Sequence, residues 1–127
     1  MNGNLLRRAR KMADKKYFVV KCNHSPLLRE AHLKAMEKEK ATSGQSPYWL
    51  FLPENMAKER ISHIEYNRAL KKEGKLLCAG PVTDYSWALI IYAVESEEEA
   101  KTLIEGDPFF KCGYFTDYEI YGWYNRI

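Results

Sequence analysis

KLLCAGPVTDYSWALIIYAV, residues Lys75 to Val94, decides the fold. Two runs of strand-forming residues flank a Gly80-Pro81 break and a short polar stretch containing Asp84. Turn residues between two such runs are the mark of a chain reversal. The second run, Ser86 to Val94, is apolar almost without interruption, as a central strand covered on both faces would be. The pair reads as a hairpin.

Immediately before it, MAKERISHIEYNRALKKEG has the composition of a helix. Gly74 sits where a left-handed residue would end it, and Lys71, Lys72 and Lys75 lie near the negative end of its dipole. His63, Tyr66 and Leu70 fall on one face, turned toward packed structure. Immediately after the hairpin, SEEEAKTLIEG carries a capping box, Ser96 with Glu99 three residues on. A DPFFKCG turn then leads into YFTDYEIYGW, a last strand. Strict alternation there puts Tyr114, Tyr118 and Ile120 on one face and Phe115, Tyr121 and Trp123 on the other.

Toward the N-terminus, YFVVKC (Tyr17 to Cys22) reads as the first strand. SPLLREAHLKAMEKEKA follows as a helix, capped by Ser25, begun by Pro26, with Leu28, Ala31 or His32, Ala35 and Met36 at helical spacing. SGQSP, residues 43–47, breaks it, and YWLFLPEN is either a short strand or a packed loop stopped by Pro53. Setting this extra segment aside, the order is βαββαβ, an α+β split βαβ arrangement with helices on one face of an antiparallel sheet. Aromatic residues on both faces of the last strand predict that the open face is covered too, as in a homodimer packed sheet to sheet.

At 127 residues the chain suits one core and is too short for two. No apolar run approaches the roughly eighteen residues of a bilayer span, which argues against membrane insertion. Residues 1–16 hold much of the net charge of +3, through Arg7, Arg8, Arg10, Lys11, Lys15 and Lys16 against Asp14. They read as a solvated, disordered extension to a domain at 17–127, and MADKK from Met12 resembles a translation start. Without interleaved aromatics the segment does not suggest nucleic-acid binding; a transit peptide, hence an organelle, is the weaker reading. Cys22, Cys78 and Cys112 are odd in number and widely spaced, which fits a reducing cytoplasm. Cys22 and His24 lack a second ligand pair and read as a strand cysteine beside a loop histidine, so no metal is expected. With no phosphate loop, nucleophile elbow or zinc signature, no cofactor is expected either.

Three stretches together, YFVVKC, RISHIEYNRALKKEGKLLCAGP and SEEEAKTLIEGDPFFKCG, resemble the YCII-related family of small dimeric ferredoxin-like proteins. The resemblance rests on a His eleven residues before Gly-Lys-Leu-Leu, then Ala-Gly-Pro, then Glu-Ala followed by Asp-Pro-Phe. It implies a ferredoxin-like domain of the dimeric α/β-barrel type, with a His and an Asp facing one another in a pocket. Those positions are His63 and Asp107. His32, twelve residues before Gly44, is a decoy without the GKLLCAGP that follows His63. The chain departs from the family in an insert at about 23–55, which is a lid, an interface or a plug for the pocket.

Asp107, before Pro108, suits an N-cap, and its second carboxylate oxygen is then free to hold a histidine in one tautomer. His63 is either a satisfied helix histidine or the acid/base partner of Asp107. Arg60, one turn before it, either forms a surface ion pair or binds an anionic substrate group. Asp84 reads as a hairpin-turn residue close to the mouth of the pocket. Tyr66, Trp87, Phe109, Phe110 and Tyr114 either line an aromatic pocket or form core and interface. The resulting expectation is a metal-independent lyase or isomerase in which His63 shuttles a proton on a small cyclic or aromatic substrate. The alternative is a non-catalytic homodimer that binds a ligand or protein, with WLFLP in its contact surface.

Overall fold

A computed structural model describes residues 16–42 and 48–127, with residues 40–42 described by their backbone alone. Strands β1 (Lys16–His24), β2 (Leu76–Pro81), β3 (Trp87–Val94) and β4 (Phe115–Trp123) form one antiparallel sheet in the order β2-β3-β1-β4. The helices are α1 (Pro26–Thr42), α2 (Glu54–Ala57), α3 (Glu59–Lys72), α4 (Glu97–Gly106) and α5 (Pro108–Lys111). With α1 and α2 set aside as additions, this is the ferredoxin-like α+β fold: the hairpin β2–β3 lies between its two long helices, and the first strand pairs with the last.

The local signals behave as their chemistry dictates. Gly74 has φ 78°, which relieves the chain of a Cβ where α3 turns into β2. The Glu99 amide donates to Ser96 Oγ at 3.1 Å, and the Glu99 carboxylate accepts from the Glu95 amide, one residue earlier than in a standard capping box. At α1 the Leu27 amide donates to Ser25 Oγ at 3.3 Å. YWLF forms a 3-10 turn at Tyr48–Phe51, packed against α1, and is therefore not a strand.

Alternation sorts the sheet. Val20 lies between Ile90 and Ile120, and Phe18 pairs with Tyr92, all toward the helices. Val20, Ile90, Tyr92 and Ile104 are fully buried, and each contributes roughly 1.5–3 kcal/mol of apolar transfer. Helix α4 covers β1, β3 and β4, α3 covers β2, and the short α5 is wedged among α3, α4 and β4.

Two boundaries and the face of one residue differ from the sequence reading. Lys16 belongs to β1, and the rest of the basic segment at 1–16 lies outside the described residues, as does the SGQSP break at 43–47. β1 continues to His24, so the added segment starts at Ser25. Phe115 is 3% exposed and sits in the helix-side core, not with Tyr121 and Trp123. A register shift at Asn23/His24 is the cause: a bulge opposite them flips the alternation of β4 at its start.

Candidate active site

The site is built where α3 meets the turn between α4 and α5. Asp107 has extended backbone, φ −67° and ψ 130°, because Pro108 follows it, and its Oδ1 accepts the Phe109 amide at 2.9 Å. Its carboxylate is 0% exposed. The same Oδ1 lies 2.7 Å from His63 Nδ1, while Oδ2 accepts from Asn67 Nδ2 at 3.0 Å. The cap and the imidazole thus share one oxygen, a correction to the expectation of one oxygen each; the second is held by Asn67, which sequence reading passed over. Asn67 stands one helical turn beyond His63, and the only signal it offered was that i, i+4 spacing.

A carboxylate only accepts, so His63 Nδ1 carries a proton, and in the neutral ring Nε2 then carries the lone pair. Asn67 Nδ2 donates its two hydrogens to Asp107 Oδ2 and to the His63 carbonyl, each at 3.0 Å. Its 3.2 Å approach to Nδ1 sets donor against donor and is not a bond. The buried Asn67 Oδ1 is left without a partner among the described residues.

Rings fix the imidazole plane. His63 stacks on Phe109 at 3.8 Å and 9°, and Phe109 stacks on Tyr114 at 3.6 Å and 7°. A second histidine joins them: His24, 7% exposed, stacks on Phe115 and donates from Nδ1 to the Tyr85 carbonyl at 2.9 Å. Burial lowers the His24 pKa, with His63 nearby adding to the effect, so the ring is held neutral with an acceptor at Nε2. The Cys22 thiol is pushed up to about 12 by burial and by Asp107, which leaves it inert.

Beside these rings lies an open cavity of ≈ 490 Å³, within the range of small-ligand sites. His63, Asn67, Phe109, Tyr114 and Arg60 line it, and so do His24, Tyr48, Trp49 and Tyr85. The added segment therefore supplies wall through Tyr48 and Trp49, and its described residues leave the cavity open. The remaining expected residues lie elsewhere. Tyr66 donates its hydroxyl to the Leu103 carbonyl at 2.6 Å and ties α3 to α4. Asp84 is a turn residue whose Oδ1 accepts the Ser86 amide and hydroxyl. Trp87 stands under the Lys21 ammonium, and Phe110 meets Tyr118 edge-on. None of these four lines the cavity. Among the described residues no group of three or more His, Cys, Asp or Glu converges as on a metal ion, and no helix is long and apolar enough to cross a membrane.

Fold and site together define a class: a ferredoxin-like α+β domain with a ring-lined cavity on its helical side and a carboxylate-held histidine in the wall. Within that class the chain belongs to the YCII-related domain family, whose profile matches residues 19–124. Among solved structures it is similar to 5-chloro-2-hydroxyhydroquinone dehydrochlorinase from Burkholderia phenoliruptrix AC1100 in complex with 2,5-dihydroxybenzoquinone. The two are 20% identical over 85% of this chain and 93% of that one, with a TM-score of 0.52, a likeness of fold. No curated protein matches the sequence at a significant level.

Proposed function

We propose that this protein is a metal-independent lyase or isomerase acting on a small cyclic or aromatic substrate, with His63 as general acid/base. The observation that carries the reading is the 2.7 Å contact of His63 Nδ1 with the buried Asp107 carboxylate, in the wall of an open cavity. Nε2 takes a proton from a substrate carbon or hydroxyl. Asp107 keeps the ring in the tautomer that makes this possible, and its charge offsets the positive charge the ring gains. The proton is then returned to another substrate atom in an isomerisation, or leaves with the departing group in an elimination. Asn67 and Phe109 act as positioning residues, one on the carboxylate and one on the ring plane.

The similar structure is a dehydrochlorinase holding a dihydroxybenzoquinone, which supports a planar oxygenated ring as the substrate class. An open cavity supports this reading over a non-catalytic binding module, which would gain from a filled one. The functional unit is read as a homodimer joined through the uncovered sheet face, where Tyr121 and Trp123 are exposed. Three free cysteines are in keeping with a cytoplasmic protein.

The test is a panel of hydroxylated and chlorinated hydroquinones in deuterated water, followed for deuterium incorporation and halide release. His63→Gln is expected to lower kcat by about 100-fold or more with the circular dichroism spectrum unchanged. A wild-type protein no faster than His63→Gln on every ring of the panel sinks the reading.

A further inference from the structure

One corner of the cavity offers donors and no acceptor of matching charge. Tyr48 Oη and Tyr114 Oη are 2.8 Å apart, so one phenol donates to the other. The second hydroxyl hydrogen has no acceptor among the described residues. Burial raises the pKa of both phenols, which keeps them protonated, and Arg60 is near enough to oppose part of that rise. The Arg60 guanidinium carbon lies over Trp49, 3.9 Å from the ring centroid, which fixes its place without using up its N–H donors.

No carboxylate forms an ion pair with Arg60 among the described residues, and no Asp or Glu lines the cavity. Arg68 and Lys71 follow Arg60 along the same stripe of α3 and also line it. A guanidinium fork beside a spare phenol hydrogen matches a carboxylate, one oxygen to each. Partial desolvation of a cation without a counter-charge is unfavourable, and a bound anion offsets it.

We infer that Arg60, Tyr48 and Tyr114 form a receiving corner for the carboxylate of a small planar aromatic acid, and that the added segment sets this specificity through Tyr48 and Trp49. The inference deepens the function proposed above and rests on the cavity being its substrate site.

The experiment titrates the full-length protein with p-hydroxybenzoate and with p-hydroxybenzamide, its uncharged counterpart of the same shape, by calorimetry. The carboxylate is expected to bind about 10-fold tighter than the amide. Arg60→Gln should abolish that preference, and Tyr48→Phe should reduce it several-fold. Lys101→Gln, an equal charge change on α4 away from the cavity, should leave it intact. Equal affinity for the two rings, binding of neither, or a preference that survives Arg60→Gln overturns the inference. The two readings fail separately. Turnover that depends on His63 without carboxylate preference removes the corner alone; preference lost on Arg60→Gln without any turnover removes the enzyme alone.

Discussion

Asp107 is the residue on which the site turns, because three donors converge on one buried carboxylate. Asp107→Ala leaves the Phe109 amide, His63 Nδ1 and Asn67 Nδ2 without an acceptor, a loss on the order of 3–5 kcal/mol. Asn67→Leu, close in shape, removes one donor from the carboxylate and is expected to cost about 1–3 kcal/mol. Urea denaturation of both variants tests the shared-oxygen geometry, which predicts the larger loss for Asp107→Ala; the reverse order would contradict it. His24 makes a pH prediction. Its folded pKa lies below the ordinary histidine value of 6.5, so between the two values the unfolded chain binds more protons than the native one. Stability is then highest above pH 6.5 and falls as the pH drops from there toward the folded value. His24→Gln should flatten that part of the profile of melting temperature against pH, and an unaltered profile would count against it. Tyr85, whose carbonyl accepts a hydrogen bond from His24 Nδ1, holds φ 59°, unusual for a non-glycine residue and retained where the ring also packs on His32 and Tyr48.

Among the elements, α5 has an influence larger than its length. It is one turn, yet it carries Phe109 against His63 and begins at the Asp107 cap. Its placement depends on how closely α4 approaches α3. A Cβ at Gly106 would stand 2.8 Å from the Tyr66 hydroxyl, which is itself held by the Leu103 carbonyl. Gly106→Ala is therefore expected to displace either Tyr66 or the Asp107 turn and to cost about 1–3 kcal/mol. In Tyr66→Phe, which lacks the obstructing oxygen, the same substitution should cost less. A double-mutant cycle by thermal denaturation measures the difference, and purely additive costs would show that the contact does not limit the packing. Helix α3 gives Arg60, His63, Asn67, Arg68 and Lys71 to the cavity wall, and two of these, His63 and Asn67, also engage Asp107.

For the whole molecule, the helices among the described residues cover one face of the sheet and leave the other without any. Tyr121 and Trp123 are 54% and 41% exposed on the uncovered face, where Tyr17 meets Trp123 edge-on. Charges placed there meet no cost in a monomer and a large one in a sheet-to-sheet dimer. Trp123→Glu combined with Tyr121→Glu is expected to halve the mass measured by light scattering while the far-ultraviolet spectrum stays the same. A wild-type protein that already runs as a monomer would remove this interface.

The order of elements along the chain, the hairpin and the helix caps were open to reading in the sequence, because each rests on chemistry within a few residues: alternation, a capping side chain, a glycine after the last helical turn, a proline after an aspartate; the pairing of His63 with Asp107 came from the resemblance to the family. Tertiary structure alone decided which side chains meet. Asn67 and His24 gave no local sign of their partners, since those lie 40 and 61 residues away in the chain. Tyr66, Asp84, Trp87 and Phe110 had the right composition for a pocket but lay on other faces, and a single bulge moved Phe115 from one side of the sheet to the other. Short-range preference fixes the elements and their faces, whereas a cavity is defined by the distances between them, which only the packed chain sets.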